Sequence, residues 1–381
     1  MNSRERLDLA LKHKQADRIP LDLGSMYESS IVKSTYIDLR RYLGLDTDKS
    51  IELFDVIQQL PVLGEDFLQY LKVDVRGVFP GPSSRWVLDI RQEGDYRTFT
   101  DEWGIKWFMP VKNGYYFDAR SHPMRGLELE DIKNFDYPDF SDPARYQNLR
   151  TRVQEFKKNG YAVVSGAGVG IMLMSSWLRG MDQFFIDMAS DKKLANYLLD
   201  RVTESACNAW ESSLDQIGDI LDVASTGDDL SNQISPLVSM DMFEEMLKPR
   251  YKKIIDTIKG SSQARVSFHS CGSVYSFIPH LIDIGVDVLN PVQVSARDMD
   301  TKRLKKEFGR DIVFWGGGCD TQKVLPFGTP AEVREEVKKR IGDLASGGGF
   351  VFNQVHNIQA KVPAENIMAM YETLWEYGKY Q

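Results

Sequence analysis

Arg265-Val266-Ser267-Phe268-His269-Ser270-Cys271-Gly272 reads as a short β-strand that ends in chemistry. Val266 and Phe268 alternate with smaller polar neighbours, the period-two pattern of a strand, and Gly272 stops the run. Side chains two apart in a strand point the same way. His269 and Cys271 therefore direct an imidazole nitrogen and a sulfur toward one point, and both are good ligands for zinc. A His-x-Cys taken alone is more often a small buried thiol beside a satisfied core histidine. Its surroundings decide between the two.

On both sides of this stretch the same unit recurs: an apolar strand, a polar or glycine turn, then a helical pattern. Strands are expected at Leu21-Asp22-Leu23 and over 72–79, 161–166, 220–225, 265–269, 286–290, 312–316 and 350–353. Helical patterns fall at 3–14, 30–44, 52–71, 142–159, 241–259, 273–283, 300–308, 330–345 and 363–377. Eight βα units predict an α/β chain closed into a (β/α)8 TIM barrel, although an open doubly wound sheet alternates in a similar way. One stretch breaks the rhythm. Over 83–120, short aromatic-rich runs (Trp86 to Ile90, Tyr96 to Phe99, Ile105 to Phe108, Tyr115 to Phe117) are separated by Gly, Asp and Asn. They predict a small antiparallel meander inserted after the second barrel strand of a single domain spanning 1–381.

Composition narrows the function. Lys plus Arg number 47 against 55 Asp plus Glu, a net charge of −8 with no basic run, so nucleic acid is a poor partner. Hydrophobic residues make up 42%, enough for a large core, yet no run reaches the roughly eighteen apolar residues of a membrane span. The start, Met1 to Arg6, lacks the apolar centre of a signal peptide. Three scattered cysteines make no disulfide framework, and a reducing cytoplasm is the expected compartment.

In such a barrel, chemistry sits in the loops after the strands. Those loops hold Asp22 and Met26, then Asp228 and Asp229, then His269 and Cys271, then Asn290 and Gln293, then Cys319 and Asp320, then Gln354 and His356. Two of three cysteines and two of five histidines thus fall at one end of the barrel. Cys207 lies mid-helix and reads as core. A catalytic zinc takes three protein ligands and keeps one position open. His269 and Cys271 supply two; His356 and Cys319 compete for the third place. Asp228 and Asp229 are candidate catalytic groups, with a helix cap or a turn as their structural alternative. Asp22, Met26, Asn290, Gln293 and Gln354 are candidate substrate contacts. The triplets Gly316-Gly317-Gly318 and Gly347-Gly348-Gly349 fit no phosphate-binding loop.

The chain resembles the uroporphyrinogen decarboxylase superfamily, which includes the corrinoid-dependent methyltransferases. Carrying the resemblance are Asp17-Arg18-Ile19-Pro20, Gly227-Asp228-Asp229-Leu230 with Ser235-Pro236, and Lys248-Pro249. His269-Ser270-Cys271-Gly272, Gly316 to Asp320 and His356-Asn357-Ile358 complete it, so that it spans nearly the whole chain outside the aromatic insertion. It implies the (β/α)8 barrel. Decarboxylases of this kind have an arginine-rich loop after the first strand for an acidic porphyrinogen; here the place reads Leu23-Gly24-Ser25-Met26-Tyr27-Glu28, without arginine. The methyltransferase branch is marked by His-x-Cys after the fifth strand and Cys after the eighth, jointly binding zinc. His269 and Cys271 match, and His356 stands where the second Cys is expected.

The resemblance thus implies a zinc-dependent methyltransferase that exchanges a methyl group with a corrinoid (methylcobalamin) carried on a separate corrinoid-binding protein. The rivals are a metal-free decarboxylase-like lyase, in which Asp228 or Asp229 stabilises a protonated intermediate, and a barrel that only binds a ligand. A small methoxylated substrate is the expectation. Its motive is the insertion's Trp86, Trp103, Trp107, Phe108, Tyr115 and Tyr116, which can stack on a planar ring, fill the meander's own core, or meet a second copy.

Overall fold

The computed structural model describes residues 1–47, 50–167 and 170–380. Its strands, in chain order, are β1 (Leu53–Asp55), β2 (Leu60–Pro61), β3 (Val75–Val78), β4 (Arg91–Glu93), β5 (Tyr96–Thr100), β6 (Lys106–Pro110) and β7 (Asp118–Ser121). There follow β8 (Ala162–Ser165), β9 (Val223–Gly227), β10 (Arg265–His269), β11 (Val288–Asn290), β12 (Val313–Trp315) and β13 (Phe350–Val351). Seven of them form one parallel sheet in the order β13-β12-β11-β10-β9-β8-β3. The expected first strand closes the ring. Leu21 bridges Phe352 in parallel, the Phe352 N–H donates to Pro20 O at 2.8 Å, and the Asp22 N–H donates to Phe352 O at 2.9 Å. On its other side, the Asp74 N–H donates to Leu21 O at 2.8 Å. The extended segment at Leu21 thus occupies the gap between β13 and β3, and the fold is the (β/α)8 barrel.

Branched side chains fill the barrel, as its narrow interior requires. Val75, Val164, Val223, Val288, Val313 and Val351 pack with Trp315, and Leu7, Ala10 and Leu11 of the helix Ser3–Leu11 join them. That helix is held by an Asn2 cap and covers the starts of the strands. Below the sheet, three aspartates do the same job. Asp74, Asp222 and Asp287 each accept a backbone N–H from the neighbouring strand segment, at Leu21, Val163 and Val266. Asp74 also takes Arg6 and Arg18, which accounts for the Asp17-Arg18 motif: Asp17 grips Arg6, and Arg18 reaches Asp74 directly. No helix among the described residues is long and apolar enough to cross a membrane.

The meander is a four-stranded antiparallel sheet, β4-β5-β6-β7, inserted between β3 and β8. Its outer strands lie further along the chain than the aromatic runs suggested. Val87, Leu88 and Ile90 are exposed and precede β4, while Tyr115 and Tyr116 fall in the turn before β7. The expected helix over 52–71 is overturned. Residues 53–61 form a hairpin, and only Glu65–Tyr70 are helical. Asp55 accepts the Ile57 N–H at 2.8 Å, an Asx turn that competes with helix, and Gln59 adopts a left-handed backbone at φ 58°. Shorter breaks divide the helices expected at 142–159 and 273–283 into a 3-10 turn followed by a helix.

Candidate metal centre and its cavity

β10 ends at His269, in register with Gly227 of β9 and Asn290 of β11. A Cβ at Gly227 would lie 2.3 Å from His269 O, so glycine is needed for the two strands to close here. The chain then turns through Cys271 into Gly272, whose φ of 90° and contact with Asn232 O exclude a side chain. Gln293 accepts the Gly272 N–H and Asp229 accepts the Cys271 N–H, which pins the turn.

His269, Cys271 and His356 bring their ligand atoms within 4.8 Å of one another. His269 is oriented for a metal. Asn290 Nδ2 donates to Trp315 O, so it is Asn290 Oδ1 that meets His269 Nδ1, at 2.7 Å. Nδ1 therefore carries the ring proton, and the Nε2 lone pair points to Cys271 Sγ at 3.5 Å. His356 is not yet oriented in this way: its Nδ1 accepts the Asn357 N–H at 2.8 Å, which leaves the proton on Nε2. Binding a cation would cost His356 that hydrogen bond or require its ring to turn.

Burial shapes the charges. It holds the Cys271 thiol up, against the pull of the neighbouring His269. Burial also pulls the His269 ring down, but Glu28, Cys271 and Asp229 outweigh it and the net direction is upward. Burial and His269 together push His356 down to about 4. A metal must displace the thiol proton, and binding is therefore coupled to proton release. The donor set of two imidazoles and one thiol suits zinc, which favours nitrogen and sulfur.

The two aspartates divide. Asp228 accepts the N–H groups of Met172 and Leu173, at the start of the helix Ile171–Arg179, and the Tyr251 hydroxyl. Burial pushes it up to about 7. It caps a helix from outside, the structural alternative the sequence offered. Asp229 is freer, with Oδ1 at 3.8 Å from His269 Nε2.

Beside the centre opens a cavity of about 450 Å³, walled by Met26, Tyr27, Glu28, Asp55, Phe79, Trp177, both aspartates and both histidines among others. Of the five expected substrate contacts, only Met26 lines it. Asp22 is buried behind it and accepts the Trp315 indole N–H, while Gln354 donates to Ser29 O and Ser30 O. Asn290 holds His269, and Gln293 holds the Cys271 turn. Cys319 lies fully buried in the apolar core, its thiol pushed well up by burial, and outside the metal-ligand group. None of the six meander aromatics lines this cavity. Trp103 and Trp107 are buried, and Trp107 backs Trp177 edge-on at 5.1 Å.

Comparison with known proteins agrees with the fold. The profile of the family described as uroporphyrinogen decarboxylase (URO-D) matches residues 111–377, well over half of the chain. The chain belongs to the uroporphyrinogen decarboxylase family. A 53-residue stretch is 38% identical to a uroporphyrinogen decarboxylase of Actinobacillus succinogenes, covering 14% of this chain and 15% of that protein. A methyltransferase from Methanosarcina mazei aligns over 99% of both chains with a TM-score of 0.66 at 17% identity, a likeness of fold. In this member of the family, Glu28 and Asp55 of the cavity wall had no motif to announce them. Glu28 does sit just past the first barrel strand, the place where an acidic wall residue is as informative as a missing arginine.

Proposed function

We propose that this chain is a zinc-dependent methyltransferase that moves a methyl group between a small methylated substrate and a corrinoid held by a partner protein. The observation that carries the proposal is the convergence of His269, Cys271 and His356 beside a small cavity whose wall includes both histidines. Zinc, when bound, polarises a heteroatom or lowers the pKa of a bound thiol. The chain's own residues do the rest. Asn290 keeps the His269 lone pair aimed inward. Asp229 is the available carboxylate for holding a proton at the open side, because the oxygens of Asp228 are engaged by a helix start and a tyrosine.

The family's name suggests decarboxylation of a porphyrinogen, but the cavity argues against it. Its described lining contains Glu28, Asp55, Asp228 and Asp229 and neither lysine nor arginine. A substrate carrying many carboxylates needs cationic partners. The expectation of a methoxylated ring also loses its motive, since the meander aromatics are not in the wall.

The purified protein, loaded with zinc, should be supplied with a reduced corrinoid protein and panels of methylamines, methoxyarenes, methanol and methylated thiols. The expected result is a demethylated product together with a change in corrinoid absorbance. Carbon dioxide release from a carboxylated pyrrole, with no methyl transfer from any donor, would replace this reading with the lyase.

A further inference from the structure

Several buried carboxylates elsewhere in the molecule are matched by cations, although Asp22 relies on hydrogen bonds alone. Asp74 meets Arg6 and Arg18, Asp187 meets Arg179, and Asp222 meets Arg4 and Lys157. The cavity breaks this habit. Among its described lining residues no lysine or arginine answers Glu28, Asp55, Asp228 or Asp229. Asp55 has only the Ile57 N–H and the Gln58 groups. Glu28, partly buried in the wall, has its own backbone N–H and the nearby His269. Burial pushes both Glu28 and Asp55 up, so each lacks the cation that would hold it ionised, and a positively charged guest in the cavity would supply it.

The same wall holds the aromatic rings of Tyr27, Phe79 and Trp177. Tyr27 and Phe79 pack with centroids 4.7 Å apart, and Phe54 stacks on Phe79 from behind at 4.8 Å. Trp177 stands in the wall with Trp107 behind it. Ring faces and carboxylates around one small space suit a particular guest. An anion is repelled, and a neutral ether leaves the carboxylates unanswered. A methylated ammonium spreads its charge over methyl groups, which ring faces hold well.

We infer that the cavity takes its substrate as a methylated ammonium cation, held by Glu28, Asp55 and Asp229 and by the faces of Tyr27, Phe79 and Trp177. The inference rests on the methyltransferase reading for the fate of the methyl group and not on zinc acting at the nitrogen, since a quaternary nitrogen has no lone pair to offer a metal. Passing that group to the reduced corrinoid breaks the C–N bond and leaves its electron pair on nitrogen. A neutral amine departs, and no proton has to be supplied.

The test is calorimetric titration of the full chain with choline, with its uncharged isostere 3,3-dimethylbutan-1-ol, and with methoxybenzene. Choline should bind at least about tenfold tighter than either neutral compound. Glu28→Gln and Asp55→Asn, checked for folding by circular dichroism and thermal melting, should each cut that preference about tenfold while leaving binding of the isostere in place. A parent protein that binds a neutral compound as tightly as choline overturns the inference, and so does a folded variant that keeps the full preference. Zinc content is read on the same samples. Zinc without ammonium binding sinks this inference and leaves the metal reading standing. Ammonium binding without zinc does the reverse.

Discussion

The barrel carries a cavity at each end, and the two are close in size. One of about 490 Å³ lies between the strand starts, and one of about 450 Å³ lies at the mouth. Both are rich in carboxylates. At the lower end each carboxylate has its cations: Asp222 has Arg4 and Lys157, and Asp287 has Lys259 and Arg265. At the mouth the described lining holds no lysine or arginine, and a His/Cys group stands beside the acids. Size therefore does not choose the site. What distinguishes the mouth is a group of carboxylates that the described lining leaves without lysine or arginine, at the end of the barrel where strand-end loops do the chemistry.

The contrast yields graded predictions. Asp74→Ala should have the largest effect, about 3–5 kcal/mol in denaturant unfolding, because it strands the buried Arg6 and frees the Leu21 N–H that helps close the ring. Its zinc content should not change; a loss below about 1 kcal/mol would deny the lower end its structural role. The same end should carry an acid dependence. Asp17 is held down to about 2 by its hydrogen bond from Arg6. Its contribution is present above the ordinary carboxylate pKa of 3.8 and is lost as pH falls toward 2. Arg6→Lys should flatten that limb of an acid melting curve.

At the mouth, Asp228→Ala should cost about 2 kcal/mol, since it uncaps the helix Ile171–Arg179 and leaves the Tyr251 hydroxyl without its acceptor. A variant of unchanged stability would return Asp228 to purely chemical duty. Asn290→Ala should weaken zinc about 10- to 100-fold in a chelator competition, because the His269 ring loses the partner that fixes its tautomer. Cys319→Ala should be the mildest, about 1 kcal/mol of lost packing with zinc retained. Loss of zinc in that variant would make Cys319 a ligand in place of His356.

Much of this was legible in the chain. Strands that are apolar on both faces, such as Ala162–Ser165 and Val313–Trp315, announce themselves because a parallel barrel buries them from both sides. Leu21 was legible from its place in the repeat, although the ring closes there through one bridge and a few hydrogen bonds. The stretch 52–71 was misread because apolar spacing fits a helix, while one Asx turn at Asp55 and one left-handed residue at Gln59 decide for a hairpin. His269 and Cys271 were visible because one strand end sets them both, and His356 because it follows the last strand. Glu28 and Asp55 were not visible. They arrive from segments far apart from the strand-end motif, and only the closed barrel shows that no lysine or arginine of the described lining meets them.

The claim that the mouth is a metal site is tested most directly by metal analysis of the purified chain beside its Cys271→Ala and His269→Ala/Cys271→Ala forms. About one zinc per chain is expected in the parent, a sharp drop in the single variant and none in the double, with all three equally folded by circular dichroism, because the ligands sit at the barrel mouth and not in the apolar core. Full zinc occupancy in the double variant, or none in the parent after loading, would contradict the account.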